Sequence, residues 1–179
     1  METRTYSIWL VPERGDLQQK LDDLVTRTSA KFNGHRFDFH VTLLGGVQSS
    51  SLKSLTAEIA HLARMMEPFE VRFPASSFTI HDTWNQNLLL LAEASEQLKT
   101  ANLAATLALK DPLASIAKFA PPSGQPHGSL LYGNQTQGER EEALLWAKQE
   151  APWLNVTWKF DVNYLVLYET NCPEEKPWE

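Results

Sequence analysis

The chain has 179 residues, 42% of them hydrophobic, and a formal net charge of −6. That length and apolar content suit one domain, or two small lobes that share an interface. The chain has no run of basic residues, which argues against a protein that follows a long nucleic-acid backbone but leaves a small nucleotide open as a ligand. Its only cysteine, Cys172, cannot form an internal disulfide. No stretch resembles a signal peptide or a membrane span, so we expect a soluble, cytoplasmic monomer that binds no membrane.

The first elements follow from hydrophobic periodicity. Residues 5–11 alternate between two faces and predict a strand that ends at Pro12. A helix follows, for which Asp16 is the predicted N-cap and Gly34 the stop signal. Residues 37–44 alternate again and predict a second strand. Its buried face is predicted to carry Phe37, Phe39, Val41 and Leu43, and its other face Asp38, His40, Thr42 and Leu44.

Three more helices are marked by their start signals. Ser51 and Ser95 precede apolar residues at helical spacing, and residues 136–139 form a capping box that opens a helix to about residue 149. Residues 119–126 contain three prolines and a glycine and predict a loop. The acidic end of the chain, residues 171–179, predicts a frayed tail. Further strands are predicted at residues 69–73, 78–81, 87–92, 156–160 and 162–168, and the Leu88 to Leu91 run reads as a central strand buried on both faces.

One motif occurs twice. Residues 39–46 read FHVTLLGG and residues 126–133 read PHGSLLYG, so both contain His, any residue, Thr or Ser, Leu, Leu, any residue and Gly. A strand alternates faces with period two, so the histidine and the hydroxyl of each copy point the same way. A third short match at His81 lacks both leucines and the glycine, which predicts a surface hairpin residue without a catalytic role.

The order of elements is also repeated. Strand, helix, His strand, helix and strand follow one another in both halves, and the two motif histidines lie 87 positions apart. This predicts a single domain over residues 1–179 with an internal duplication, roughly residues 4–75 and 85–169. We expect an α+β fold of two pseudo-symmetric lobes, each an antiparallel sheet with helices on its outer face, with the two His strands at a central cleft.

The motif residues suggest a chemistry. His40 and His127 titrate near neutral pH, so one can take a proton from water while the other gives a proton to a leaving oxygen. Thr42 and Ser129 can donate hydrogen bonds to phosphate oxygens and stabilise charge in the transition state. No ligand cluster accompanies either motif, so we expect no metal and no cofactor. Asp38 either orients His40 or is exposed to solvent. The alternative for each histidine alone is a structural role, satisfied by one hydrogen bond.

The paired motifs resemble the 2H phosphoesterase superfamily, which is named for two such histidines. The resemblance covers roughly residues 6–168 and is greatest to the cyclic phosphodiesterase branch of plants and fungi. Beyond the two motifs it rests on Tyr6-Ser7-Ile8-Trp9, on Gly34-x-Arg36-Phe37-x-x-His40-Val41-Thr42 and on Tyr132 after the second motif.

The resemblance implies a bilobal fold with a pseudo-twofold axis and metal-independent hydrolysis of cyclic phosphates. Substrates known in that branch are nucleoside 2′,3′-cyclic phosphates, opened to 2′-phosphates, and ADP-ribose 1″,2″-cyclic phosphate. It makes His40 and His127 catalytic, with His127 as base and His40 as acid, and places Thr42, Ser129 and Tyr132 beside the phosphate. Trp9 either stacks on a base, lines the cleft or packs in the core, and Trp84 is a second stacking candidate.

One departure from the branch is Gly128, where the relatives usually carry a larger apolar residue, so the second histidine is expected to be held less firmly. Two other functions stay open. The first is a binding module for nucleotides or RNA ends that keeps the cleft without catalysis. The second is processing of 2′,3′-cyclic or 2′–5′ ends of RNA, against which the net charge of −6 speaks.

Overall fold

The computed structural model describes residues 3–75, 77–109 and 125–170. Within these ranges the fold is α+β, as the sequence predicts. The elements are β1 (Arg4–Leu10), α1 (Asp16–Lys31), β2 (Val41–Ser49), α2 (Leu52–Met65), β3 (Phe69–Phe73), β4 (Phe78–Ile80), β5 (Leu88–Leu91), α3 (Glu96–Leu109), β6 (His127–Leu131), α4 (Gln137–Glu150), a short 3-10 helix (Pro152–Asn155), β7 (Trp158–Val162) and β8 (Val166–Glu169).

Six strands form one antiparallel sheet in the order β4-β5-β6-β2-β1-β8, and β3 pairs with β7 in a second sheet. The counterparts in the two halves are β1 and β5, β2 and β6, β3 and β7, and β4 and β8. If each strand is exchanged for its counterpart, both strand orders stay the same when read from the opposite edge. At the centre, β2 pairs with β6 through Val41 and Gly128, which hold the same place in the two motifs. The pseudo-twofold axis that relates the two halves of the sheet therefore lies between the two His motifs.

The hydrophobic core lies on the face of the sheet opposite the motif side chains. Ile8 and Leu10 of β1 and Val41 and Leu43 of β2 are at most 1% exposed. Helix α1 packs on β6 and α3 packs on β2, so each half covers the central strand of the other half. Asn102 of α3 also donates a hydrogen bond to the carbonyl oxygen of Leu43 at 2.6 Å. This crosswise packing fixes the two central strands relative to each other.

Three predicted start signals are confirmed. The side chain of Ser51 accepts a hydrogen bond from the backbone N–H of Ser54, and that of Ser95 accepts one from Leu98. Thr136 and Glu139 form the complete capping box of α4. The hairpin formed by β4 and β5 is confirmed as well.

Other local predictions are wrong. Gly15, not Asp16, is the N-cap of α1, and no side chain caps that helix. At the other end α1 stops at Lys31, and the residue with left-handed backbone is Asn33 (φ 51°), not Gly34. Gly34 is instead required by packing, because a Cβ there would lie 2.7 Å from the carbonyl oxygen of Tyr132.

Two strand boundaries also differ from prediction. The second strand begins at Val41 and runs on to Ser49, and the last strand is the short β8 rather than residues 162–168. Val156 precedes β7 and is 58% exposed, although its alternation with Trp158 placed it in that strand. The predicted loop falls largely outside the described residues, and so does the predicted tail. No helix among the described residues is long and apolar enough to cross a membrane.

Candidate active site

The central strand pair places the four motif side chains together. His40 lies directly before β2, and His127 is the first residue of β6. Because Val41 is paired with Gly128, the antiparallel register puts His40 opposite Ser129 and Thr42 opposite His127. Residues opposite each other in an antiparallel pair share a face of the sheet. Both imidazoles and both hydroxyls therefore lie on one face of the sheet, around the pseudo-twofold axis.

The two imidazoles make equivalent hydrogen bonds. Nδ1 of His40 lies 2.7 Å from the carbonyl oxygen of Asp38, and Nδ1 of His127 lies 3.0 Å from that of Gln125. In each case the partner is the carbonyl two residues earlier in the chain. A carbonyl can only accept, so Nδ1 carries the proton and donates it. Nε2 of each neutral ring is then the atom that can take a proton from a ligand.

Asp38 orients His40, but not through its carboxylate. The hydrogen bond comes from the backbone carbonyl, and the side chain of Asp38 is exposed. Of the two possibilities for Asp38 that the sequence left open, exposure to solvent is therefore the one observed for the carboxylate.

Both histidines are neutral in the ligand-free protein at pH 7. Burial lowers the pKa of His40 to about 4; the hydrogen bond to Asp38 opposes this shift and the nearby charge of His127 adds to it. Burial also lowers the pKa of His127, with an opposing effect from the Gln125 carbonyl and a smaller contribution from the charge of His81. The two motif imidazoles thus lie within electrostatic reach of each other.

The two hydroxyls differ in their surroundings. Thr42 lines an open cavity of about 420 Å³. Ser129 is 4% exposed and donates a hydrogen bond of 3.2 Å to the carbonyl oxygen of Asn85, which is another residue of the cavity wall. The wall consists of Ser7, Trp9, Thr26, Arg36, Phe37, Asp38, His40, Thr42, Trp84, Asn85, Tyr132, Tyr168 and Thr170.

Tyr132 lies in the cavity wall, where its ring stacks on that of Phe37 with centroids 3.8 Å apart. Burial raises the pKa of Tyr132 to about 12, although a hydrogen bond with Ser129 works in the opposite direction. The phenol therefore keeps its proton at neutral pH and can donate it in a hydrogen bond. The Tyr132 phenol and the Ser129 hydroxyl are thus near each other beside the cavity.

Trp9 lines the cavity but is 6% exposed. His40 and Tyr168 both stack on its indole in nearly parallel planes, with centroids 3.6 and 4.0 Å away. Two rings so close and so nearly parallel to one indole must lie on its opposite faces. In the ligand-free protein Trp9 therefore supports His40 and has no free face for a base.

Trp84 is more accessible than Trp9, the other tryptophan predicted to bind substrate. It is partly exposed and lines the cavity, with tilted contacts to His35 (5.4 Å) and Tyr132 (5.5 Å). Because no parallel ring covers it among the described residues, a face of Trp84 remains for stacking.

Sequence reasoning missed several residues of this wall. Phe37 was placed on the buried face, but its ring turns to Tyr132 and reaches the cavity. Tyr168 joins the wall through the pairing of β1 with β8, which the sequence does not reveal. His81 lies at the β4–β5 hairpin as predicted and is partly exposed, but the sequence did not indicate its electrostatic effect on His127. Arg36 was part of the extended first motif but had no assigned role.

No group of three or more His, Cys, Asp or Glu side chains in the described ranges is arranged to hold a metal ion.

No family model matches this chain, and no curated protein sequence matches it. Among solved structures, Usb1 from Kluyveromyces marxianus matches with a TM-score of 0.46 and 13% identity, over 93% of this chain and 98% of that one. The structure of the same protein with uridine monophosphate gives a TM-score of 0.44 and 12% identity, over the same shares of the two chains.

Proposed function

We propose that this protein is a metal-independent phosphodiesterase that opens cyclic phosphates of small nucleotides: nucleoside 2′,3′-cyclic phosphates, ADP-ribose 1″,2″-cyclic phosphate, or both. The observation that carries the proposal is the pair of equivalent histidines, each bonded through Nδ1 to the carbonyl two residues before it. This arrangement leaves two Nε2 atoms and two hydroxyls on one face of the sheet. Such a set suits proton transfer on both sides of one phosphorus atom.

In the proposed reaction a water molecule attacks phosphorus while Nε2 of His127 takes one of its protons. The new P–O bond forms as the bond from phosphorus to the ribose O3′ breaks, and Nε2 of His40 gives a proton to O3′. The product of a 2′,3′-cyclic phosphate is then a 2′-phosphate. Thr42 and Tyr132 donate hydrogen bonds to the non-bridging oxygens, and Ser129 joins them by turning away from the carbonyl of Asn85.

His40 needs a proton before it can act as the acid. An anionic phosphate beside the imidazole raises its pKa above the value of about 4 that burial imposes. Substrate binding and protonation of His40 are therefore coupled in this proposal.

The nucleoside is proposed to lie along the aromatic part of the wall. Tyr132 contacts both Trp84 and Phe37, and all three rings line the cavity. Stacking of a base on an aromatic side chain contributes about 1–3 kcal/mol and tolerates any base. We therefore expect little discrimination among the four nucleobases.

The test is an assay of the four nucleoside 2′,3′-cyclic phosphates beside ADP-ribose 1″,2″-cyclic phosphate, with the products identified by phosphorus NMR. The proposal predicts turnover in the presence of EDTA and a 2′-phosphate as the nucleotide product. Absence of turnover on every substrate, or a 3′-phosphate product, would contradict it.

A non-catalytic binding module is the second candidate. It is favoured by one observation, namely that burial lowers the pKa of both histidines, so neither imidazole is charged at pH 7. Binding of a nucleoside 2′-phosphate without hydrolysis of any cyclic phosphate would support this candidate.

Processing of long RNA ends has less support. A neighbouring cavity of about 510 Å³ shares Trp9, Asp38 and Tyr168 with the candidate active site. It also contains the carboxylates of Asp16 and Asp22, which together with Asp38 outnumber its one arginine, Arg14. An RNA chain that continued in this direction would meet like charges. Binding of an oligonucleotide that weakens steeply with salt would nevertheless favour this candidate.

A further inference from the structure

Arg36 is held in a defined place on the cavity wall. Before it, Gly34 donates its N–H to the carbonyl of Ser29 at 2.8 Å, and His35 donates its N–H to the carbonyl of Tyr132 at 3.0 Å. After it, the ring of Phe37 stacks on Tyr132. Both neighbours of Arg36 are thus fixed to the residue that follows the second motif. The backbone of Arg36 is positioned by the same contacts that build the active site.

The charge of Arg36 is uncompensated in the described part of the chain. Two cations of α1 are paired, since Arg27 bonds to Glu150 at 2.6 Å and Lys31 to Glu142 at 3.6 Å. Arg36 is exposed and has no ion pair within residues 3–75, 77–109 and 125–170. In a protein with a net charge of −6, such a cation on a cavity wall is well placed to bind an anion.

Arg36 is also the main positive group among the described wall residues at neutral pH. The other ionisable groups of the wall are Asp38, His40 and two tyrosines, and His40 is neutral because its pKa is about 4. The carboxylate of Asp38 repels anions, so any attraction is concentrated at the guanidinium. A guanidinium binds phosphate through two parallel hydrogen bonds, which gives direction as well as charge.

Arg36 lies within reach of the reacting group. It precedes His40 by four residues, so their Cα atoms are at most about 14 Å apart. In a substrate whose ribose carries both groups, a phosphate ester on the 5′ oxygen lies beside the cyclic phosphate and is a separate anionic group. The guanidinium can reach such a group while Nε2 of His40 faces the cyclic phosphate.

We propose that Arg36 is a specificity-determining residue that binds a second anionic group of the substrate. The preferred substrates then carry a phosphate or pyrophosphate ester on the 5′ oxygen of the ribose in addition to the cyclic phosphate. This inference rests on the proposed function for the identity of the reaction, but the anion site can be tested without turnover.

The experiment compares uridine 2′,3′-cyclic phosphate with its 5′-phosphorylated form on wild-type protein, Arg36→Gln, Arg36→Lys and Arg64→Gln. Arg64 is an exposed arginine on α2 that lines none of the described cavities, so its variant makes the same charge change elsewhere. For wild type we expect about a tenfold lower KM for the 5′-phosphorylated substrate, the size of one charge-assisted contact.

In Arg36→Gln the KM for the 5′-phosphorylated substrate should rise about tenfold, with kcat nearly unchanged and a clearly smaller rise in KM for the other substrate. Arg36→Lys should keep part of the preference, and Arg64→Gln all of it. Equal kinetic effects of Arg36→Gln on both substrates, or no preference in wild type, would overturn the inference.

Calorimetric binding of uridine 2′-phosphate and uridine 2′,5′-bisphosphate separates this inference from the proposed function. If no cyclic phosphate is hydrolysed but wild type binds the bisphosphate about tenfold tighter and Arg36→Gln does not, the proposed function fails and the anion site stands. If cyclic phosphates are hydrolysed and neither measurement depends on Arg36, the proposed function stands and the anion site fails.

Discussion

The ring of Phe39 occupies the volume that a side chain at residue 128 would need. A Cβ built on Gly128 would lie 2.3 Å from Cζ and 2.5 Å from Cε2 of Phe39, a ring that is fully buried. The glycine that distinguishes the second motif is therefore explained by close packing next to the central pair of Val41 and Gly128. The sequence suggested that Gly128 weakens the strand, and the structure supplies a reason for its presence.

This contact predicts a stability effect. Gly128→Ala should lower the free energy of unfolding by about 1–3 kcal/mol, because the aromatic ring has little room to move in a packed core. Gly138→Ala is the matched control, since a Cβ there has nothing within 4 Å and an exposed alanine in a helix gains up to about 1 kcal/mol. Denaturant unfolding measures both.

The explanation can be checked with a second substitution. Phe39→Leu removes the ring from the vicinity of residue 128, so Gly128→Ala should cost less in that background than in wild type. Equal costs of Gly128→Ala in both backgrounds would show that Phe39 is not the obstacle.

The stack of His40 on Trp9 predicts a change in titration. Burial is the main cause of the low pKa of His40, and Trp9 covers one face of the imidazole. Trp9→Ala should admit water and move the pKa from about 4 toward its ordinary value near 6.5, whereas Trp9→Phe should keep most of the shift. NMR titration of His40 measures this, and an unchanged pKa in Trp9→Ala would show that the indole does not exclude water.

The same low pKa predicts acid sensitivity of the fold. The unfolded chain binds a proton at residue 40 below pH 6.5, while the folded protein binds it only near pH 4. Stability is therefore lost as the pH falls from 6.5 to 4, by about 3 kcal/mol at most from this residue. The lowered pKa of His127 acts in the same direction, whereas the raised pKa of Asp22 opposes it at the acidic end.

Comparison with His40→Asn isolates the contribution of His40. We expect the free energy of unfolding of the variant to fall less steeply between pH 6.5 and 4 than that of wild type. Denaturant unfolding at several pH values gives the two slopes. Parallel slopes would contradict the assignment of a depressed pKa to His40.

The sequence predicted best what depends on neighbouring residues. The start signals at Ser51, Ser95 and Thr136 were recognised because a cap and the N–H groups it binds lie within three residues of each other. Asp16 failed as a cap because the preceding Gly15 takes that position. Alternation of residues 37–44 correctly placed His40 and Thr42 on one face, but alternation records faces and not hydrogen bonds. The start of β2 at Val41 could therefore not be predicted.

The rest of the candidate site depends on contacts between distant residues. The pairing of β1 with β8 brings Tyr168 to Trp9. The pairing of β4 with β5, and of β5 with β6, brings His81 into electrostatic reach of His127. Arg36 enters the wall because the loop after α1 is bonded to Tyr132. None of these distances leaves a periodic signal in the sequence, whereas the repeated motif does.

The most direct test of the account is the turnover of nucleoside 2′,3′-cyclic phosphates by His40→Ala, His127→Ala and the control His61→Ala. His61 is exposed on α2, so its variant removes an imidazole away from the cavity. We predict that kcat falls about 10²- to 10⁴-fold in each motif variant and stays within about twofold of wild type in His61→Ala. Wild-type turnover in a folded His40→Ala or His127→Ala protein would contradict the central claim that the two imidazoles act together on one phosphate.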